Sequence, residues 1–333
     1  MNTHTLRALF LDAIYQVLDN RVFRVLGVLI LLPVAVVFCI GFREEELVLF
    51  FGLKTYSYDS LIESFSLSAA SIAEARVMLI ENTADIIAGF LSGSLGMAVM
   101  IAATAFFVPR MLEKGAVETL FHKPVPRLWF FLSRYVAGLV FVALLCTALV
   151  SGVYAGFLVS SGYSYGGVFW ELPGAVYAFG IVHAVSMAIG VWTRSTPAAI
   201  LLSIFFFVGN GCVHTAWSMK ESFTHDREAA EDSDTEGLSQ LLEGLSVALD
   251  TAHFILPKPG DAGRMVESLR GNEPQKNRSV RIQTNGESIG DASHLMGWDA
   301  APRYSYVVSL LSTIAFTAGL LFLGWRKLAR ADL

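Results

Sequence analysis

The chain has 333 residues, 54% of them apolar and 16% charged, with a formal charge of −5 and a mean hydropathy of +0.55. A soluble domain carries about 25% charged residues, so this chain lacks the means to coat a globule with a solvated surface. These values exclude a single soluble globule and a disordered chain, and the acidic balance offers no basic face to nucleic acid.

Residues 6–22 set Leu6, Leu9, Phe10, Ala13, Ile14, Val17, Leu18 and Val22 at steps of three and four, one face of a helix. Asp12, Gln16, Asp19 and Asn20 fall on the other face. Segment 1–24 is therefore expected to lie in the membrane interface as an amphipathic elbow helix; the alternative is an ordinary amphipathic helix packed on protein.

A bilayer core takes about 20 apolar residues of helix. Six runs qualify, at 25–42, 86–108, 135–160, 172–192, 197–217 and 304–325, and none contains Asp, Glu, Lys or Arg. The expected fold is an all-α polytopic membrane protein: the elbow helix, five transmembrane helices within 25–217, an outer loop or cap over 218–303, and a sixth transmembrane helix with a short tail over 304–333.

Placing both ends in the cytoplasm puts 12 basic and 5 acidic residues on the inner pieces, against 12 basic and 24 acidic on the much longer outer ones. That bias sets the orientation, and a bacterial plasma membrane is the expected location. The first outer loop, 43–85, opens with Glu44-Glu45-Glu46 and has helical character over 60–81. The larger loop has an acidic stretch at 225–236 and an apolar patterned segment at 238–256. Pro257-Lys258-Pro259-Gly260 ends that segment, so the cap is expected to be largely helical. Cys39, Cys146 and Cys212 stand far apart in apolar runs, which suits small buried hydrophobes rather than a metal or disulfide framework.

The chain carries no phosphate loop, no His-Glu-x-x-His, no Gly-x-Ser-x-Gly and no kinase signature. A non-catalytic chain without a bound cofactor or metal is expected. Two histidines and an asparagine lie inside the spans: His183, His214 and Asn210. They could contact a substrate path, or serve as hydrogen-bonding packing residues. No acid or base marks mid-membrane, where an ion-driven carrier would place one. Energy for uphill transport is thus expected to enter from the cytoplasmic side, through the inner loop 109–134.

That loop contains Glu113, Lys114, Gly115, Glu118, Leu120, Pro124 and Arg127, and Arg134 opens the next span. The pattern Glu113-x-Gly115, Leu120, Pro124, Arg127 and Arg134 resembles the first inner loop of ABC type-2 permeases, the membrane subunits of two-component ATP-binding-cassette transporters. It departs at Pro126, where that family commonly has Ser. The elbow, six spans and large outer insertion before the last span are also similar to that family. The layout is most similar to the branch serving gliding motility and nitrous-oxide-reductase maturation.

The resemblance implies a separate ATPase subunit that binds ATP and receives the loop helix in a groove. Glu113, Lys114, Gly115, Glu118, Leu120, Pro124 and Arg127 would form the docking segment. It also implies a second permease chain, the same or related, and export over import. The competing readings are a secondary carrier or channel using His183 and His214, and a non-transporting scaffold or sensor built on 218–303.

Overall fold

A computed structural model describes residues 21–65, 71–90, 93–107, 126–228, 236–261, 283–284, 287–288 and 306–330, with four isolated positions besides. These residues are mostly helical. They form two compact units: Met1–Ser60 with Ala69–Phe206 and Thr317–Leu333, and Leu61–Ser68 with Phe207–Phe316. Among the described residues, four stretches are long and apolar enough to cross a membrane: Arg127–Ser161, Gly166–Thr193, Thr196–Trp217 and Val307–Arg330. The sequence runs at 135–160, 172–192, 197–217 and 304–325 coincide with them. The proposed elbow helix of 1–24 falls almost wholly outside the described residues.

The first two runs depart from single spans. Helix α1 (Arg21–Phe38) stops short, and the last apolar residues of the first run form strand β1 (Ile40–Phe42). An apolar run does not by itself distinguish helix from strand. Here sheet pairing wins: β1 lies antiparallel to β2 (Glu46–Leu49), which pairs with β3 (Lys54–Ser57). This buries Phe42 and Val48 and sets Phe42 against Phe157 at a ring distance of 5.7 Å. The β2–β3 turn holds Phe50 and Phe51 at φ of 50° and 58°, a conformation costing a side-chain-bearing residue about 1–2 kcal/mol.

Helix α2 (Tyr58–Phe65) follows β3 directly, and α3 (Ile72–Gly89) begins at a serine N-cap. Ser71 Oγ accepts the Glu74 amide at 3.2 Å. The second run, 86–108, breaks between α3 and α4 (Ser94–Thr104), where Gly89 and Gly93 flank the interruption.

Helix α5 (Arg127–Ser161) has 35 residues and no internal proline. It runs parallel to α1: Val34 packs at Gly152 and Val37 at Gly156. Arg76 of α3 closes the same end of the unit, donating to Phe42 O at 2.8 Å and Ser161 O at 2.7 Å. Beyond α5, Tyr163 donates to Glu81 at 2.9 Å and Tyr165 to Asp85 at 3.0 Å. Two acids four apart on α3 thus hold the chain that leads into α6 (Glu171–Thr193).

Helix α6 returns antiparallel to α5, with Tyr135 Oη donating to Gly180 O at 3.1 Å. Two residues separate it from α7 (Thr196–Glu228), and Arg194 takes the left-handed position (φ 52°) that caps α6. Helix α7 continues past the apolar run that ends at Trp217. Helix α8 (Glu236–Ile255), a short pair β4 (Gln283–Thr284) and β5 (Glu287–Ser288), and α9 (Tyr306–Arg330) complete the described chain. Of the three cysteines expected to be buried, only Cys146 is; Cys39 is half-buried and Cys212 is exposed on α7.

Candidate functional site

In the first unit, chain direction gathers one end. Helix α5 begins there, and α6 and α9 finish there. Gly324 sits against Phe131 and Ala188, and Arg127 Nη1 donates to the Leu328 and Ala329 carbonyls at 3.2 and 3.0 Å. Those carbonyls belong to the last described turn of α9. A guanidinium there also complements the helix dipole. This end therefore holds Arg127, Arg134, Arg194, Arg326, Lys327 and Arg330.

Arg134 is almost fully buried, its guanidinium 5.4 Å from the Phe130 ring centre. Leu112 joins Phe130, Phe131, Met187, Val191 and Leu328 in one apolar cluster. Segment 113–125 is thus preceded by Leu112, held in this cluster, and followed by Arg127, which pins the start of α5. Between them, Glu113, Lys114, Gly115, Glu118, Leu120 and Pro124 lie outside the described residues.

His183, on α6, is buried in the first unit. It stacks on Tyr135 at 5.5 Å and on Phe179 at 5.0 Å, with Phe107 edge-on at 6.3 Å. Its ring fills the notch at Gly138, where an added Cβ would stand 2.3 Å from Nε2. Among the described residues, neither ring nitrogen has a hydrogen-bond partner of good geometry, and the Arg134 backbone is the polar group that faces the ring. This is an aromatic packing position rather than a wet channel wall.

Asn210 and His214 belong to the second unit, one turn apart on α7. Both converge on one carbonyl: Asn210 Nδ2 donates to Pro257 O at 3.0 Å, and His214 Nε2 lies 2.9 Å from it. Pro257 lies beyond the end of α8 at Ile255, and the Asp261 amide turns to Lys258 O instead, so this carbonyl is left to the side chains.

A carbonyl only accepts, so His214 Nε2 carries hydrogen. In the neutral pair His214 Nδ1 then accepts from His253 Nδ1, 2.8 Å away. His253 stacks on Trp217 at 3.8 Å. Asp250, one turn before His253, accepts from Trp217 Nε1 at 2.9 Å and Lys220 Nζ at 2.7 Å. Below the pair, the Lys258 amide donates to Thr313 Oγ1 at 3.1 Å, and Ser309 donates to Asp261. The cluster locks α8 and the Pro257–Gly260 turn onto α7 and α9 by mutual hydrogen bonds. Among the described residues, no three His, Cys, Asp or Glu side chains converge as a metal site.

The sequence singled out Asn210 and His214 but not Asp250, His253, Lys258 or Asp261. The available signal was the spacing 210, 214, 217 on one helical face and 250, 253, 257 on the next.

Burial holds the Lys258 ammonium below the usual lysine range, against the opposing pull of Asp261. The folded state therefore releases this proton more readily than the unfolded chain. Its contribution to stability is full above the ordinary lysine value of about 10.5 and falls as pH drops through the lowered folded value. Burial pushes the Tyr58 phenol up, so its contribution falls as pH rises in the same alkaline range. Comparing Lys258→Met with the native chain cancels that term. The variant should melt higher at pH 8, with the gap narrowing by pH 10. A gap equal at both values would show that burial of the charge is not the cause.

No family model matches this chain, and no curated protein matches it.

Proposed function

We propose that the chain is the permease subunit of an ATP-binding-cassette transporter, an exporter whose ATP is bound and hydrolysed by a separate subunit. In this reading it has six spans, an in-plane elbow helix over 1–24 and both ends in the cytoplasm of a bacterial inner membrane. It pairs with a second permease chain, identical or related, so that two permeases face two ATPases. It binds no cofactor itself and catalyses no reaction.

The observation that supports this most is the basic end of the first unit. Leu112 and Arg127 bracket segment 113–125 there, beside the last turn of α9. A coupling loop needs such anchoring, because a push on a loop tethered only by flexible chain is lost before it reaches the spans. The carrier reading would need His183 or His214 on an open path. The aromatic packing of His183 and the hydrogen bonds of His214 argue against it.

Orientation is the test that reaches furthest. With a membrane-impermeant thiol reagent and the native cysteines replaced, Asp234→Cys should label in intact cells. Thr119→Cys should label only after permeabilisation. The reverse pattern would remove the docking segment from the ATPase side and end this reading.

A further inference from the structure

The turn Phe50-Phe51-Gly52-Leu53 joins β2 to β3. Hairpin turns that need positive φ favour Asn, Asp and Gly. Here Phe50 and Phe51 adopt it, and Phe50, Phe51 and Leu53 stand 60%, 85% and 83% exposed. In water this turn would combine a strained backbone with bare apolar surface. Its position resolves the combination. Strand β1 starts two residues after α1 ends, and Leu49 pairs back opposite Ile40. The Phe50 amide donates to Cys39 O at 2.8 Å. The turn is thus folded back to the level where α1 ends, and the acidic turn at 43–46 is at the far end of the hairpin.

Helix α1 leaves Val28, Leu31, Leu32, Val36 and Phe38 uncovered, the surface a membrane helix gives to lipid. The apolar turn continues that surface at its edge. Lys54 and Tyr56 follow it, and a long-stemmed ammonium and an amphipathic ring suit headgroup level. We propose that Phe50, Phe51 and Leu53 insert into the acyl–headgroup boundary of the bilayer, an interfacial anchor that sets the depth at which α1 leaves the membrane. This rests on α1 crossing the bilayer and not on the ATPase partner or the cargo.

The test uses the whole chain in phosphatidylcholine–phosphatidylglycerol nanodiscs, with Cys39→Ser, Cys146→Ala and Cys212→Ser as background. A nitroxide is introduced through Phe51→Cys, Leu53→Cys, Glu44→Cys or Leu31→Cys. The ratio of collision rates with oxygen and with a water-soluble nickel complex reads depth. That ratio should be several times higher at 51 and 53 than at 44, approaching the value at 31. A water-like ratio at 51 and 53, with 31 lipid-like, would overturn the anchor alone. Spin–spin broadening at 51 would also overturn it, by showing a second copy on the turn. A water-like ratio at 31 would instead show that α1 is outside the bilayer, and the spanning reading would fail with it.

Discussion

Under the proposed coupling role, charge reversal at Glu113, or Gly115→Leu, is expected to weaken association with an ATPase subunit tens-fold or more. Loss of one partner of a buried charged contact costs about 2–5 kcal/mol, and about 1.4 kcal/mol is tenfold in affinity. Both positions lie outside the apolar runs, so insertion and folding should survive. His183→Ala and His214→Ala are the controls. The first opens a void among aromatic rings and the second breaks the Pro257 clamp, and neither lies in segment 113–125. The measurement is recovery of the proposed ATPase subunit on the purified chain at matched membrane levels. Full recovery with both loop variants, together with loss of transport in His183→Ala, would place energy input within the membrane. The carrier reading would then replace the present one.

Gly156→Leu should be the most damaging single change in the first unit. Even the first carbon added there would meet Val37 Cγ1 at 2.6 Å, and at Gly152 it would meet Val34 Cγ2 at 2.7 Å. Valine is stiff at χ1 and cannot swing away cheaply. The stretch Gly152-Val153-Tyr154-Ala155-Gly156 is the small-xxx-small spacing that lets membrane helices approach closely. Overpacking of this kind costs about 1–3 kcal/mol or more. Gly156→Ala should be milder, and Val37→Ala should rescue it. That rescue would appear as a favourable coupling in a double-mutant cycle. Gly174→Ala, where an added Cβ meets nothing within 4 Å, should leave the melting temperature in detergent unchanged. Equal melting of the Gly156→Leu and native chains would mean that α1 does not pack on this stripe.

The long helices were legible because nothing competes with them: α5, α6 and the apolar part of α7 are uninterrupted apolar runs that only a helix can bury in lipid. The edges were harder. Residues 40–42 continue the apolar character of α1, and only the pairing of Ile40 with Leu49 and Phe42 with Leu47 makes them strand. The break in 86–108 had a local sign, the Gly89 to Gly93 cluster, outweighed by apolarity in the run as a whole. The Gly152–Gly156 stripe was visible as spacing, but its partner on α1 was not, because a motif on one helix does not name the helix it meets. The same holds for the cluster around His214. Its α7 face was readable at 210, 214 and 217, and its partners Asp250 and His253 required knowing which helix packs there.

Helix α5 carries a mechanical consequence. At a rise of about 1.5 Å per residue, its 35 residues span about 52 Å, well beyond a hydrocarbon core of about 30 Å. Arg127 ties one tip to α9, and the Ser161 carbonyl is gripped by Arg76 at the other. Without an internal proline the rod lacks a proline hinge. A tilt of only about 5° about one tip would sweep the other through about 4–5 Å, given that length. Such a lever turns a small angular impulse at one tip into a displacement at the other wide enough to part packed side chains, without any segment having to melt.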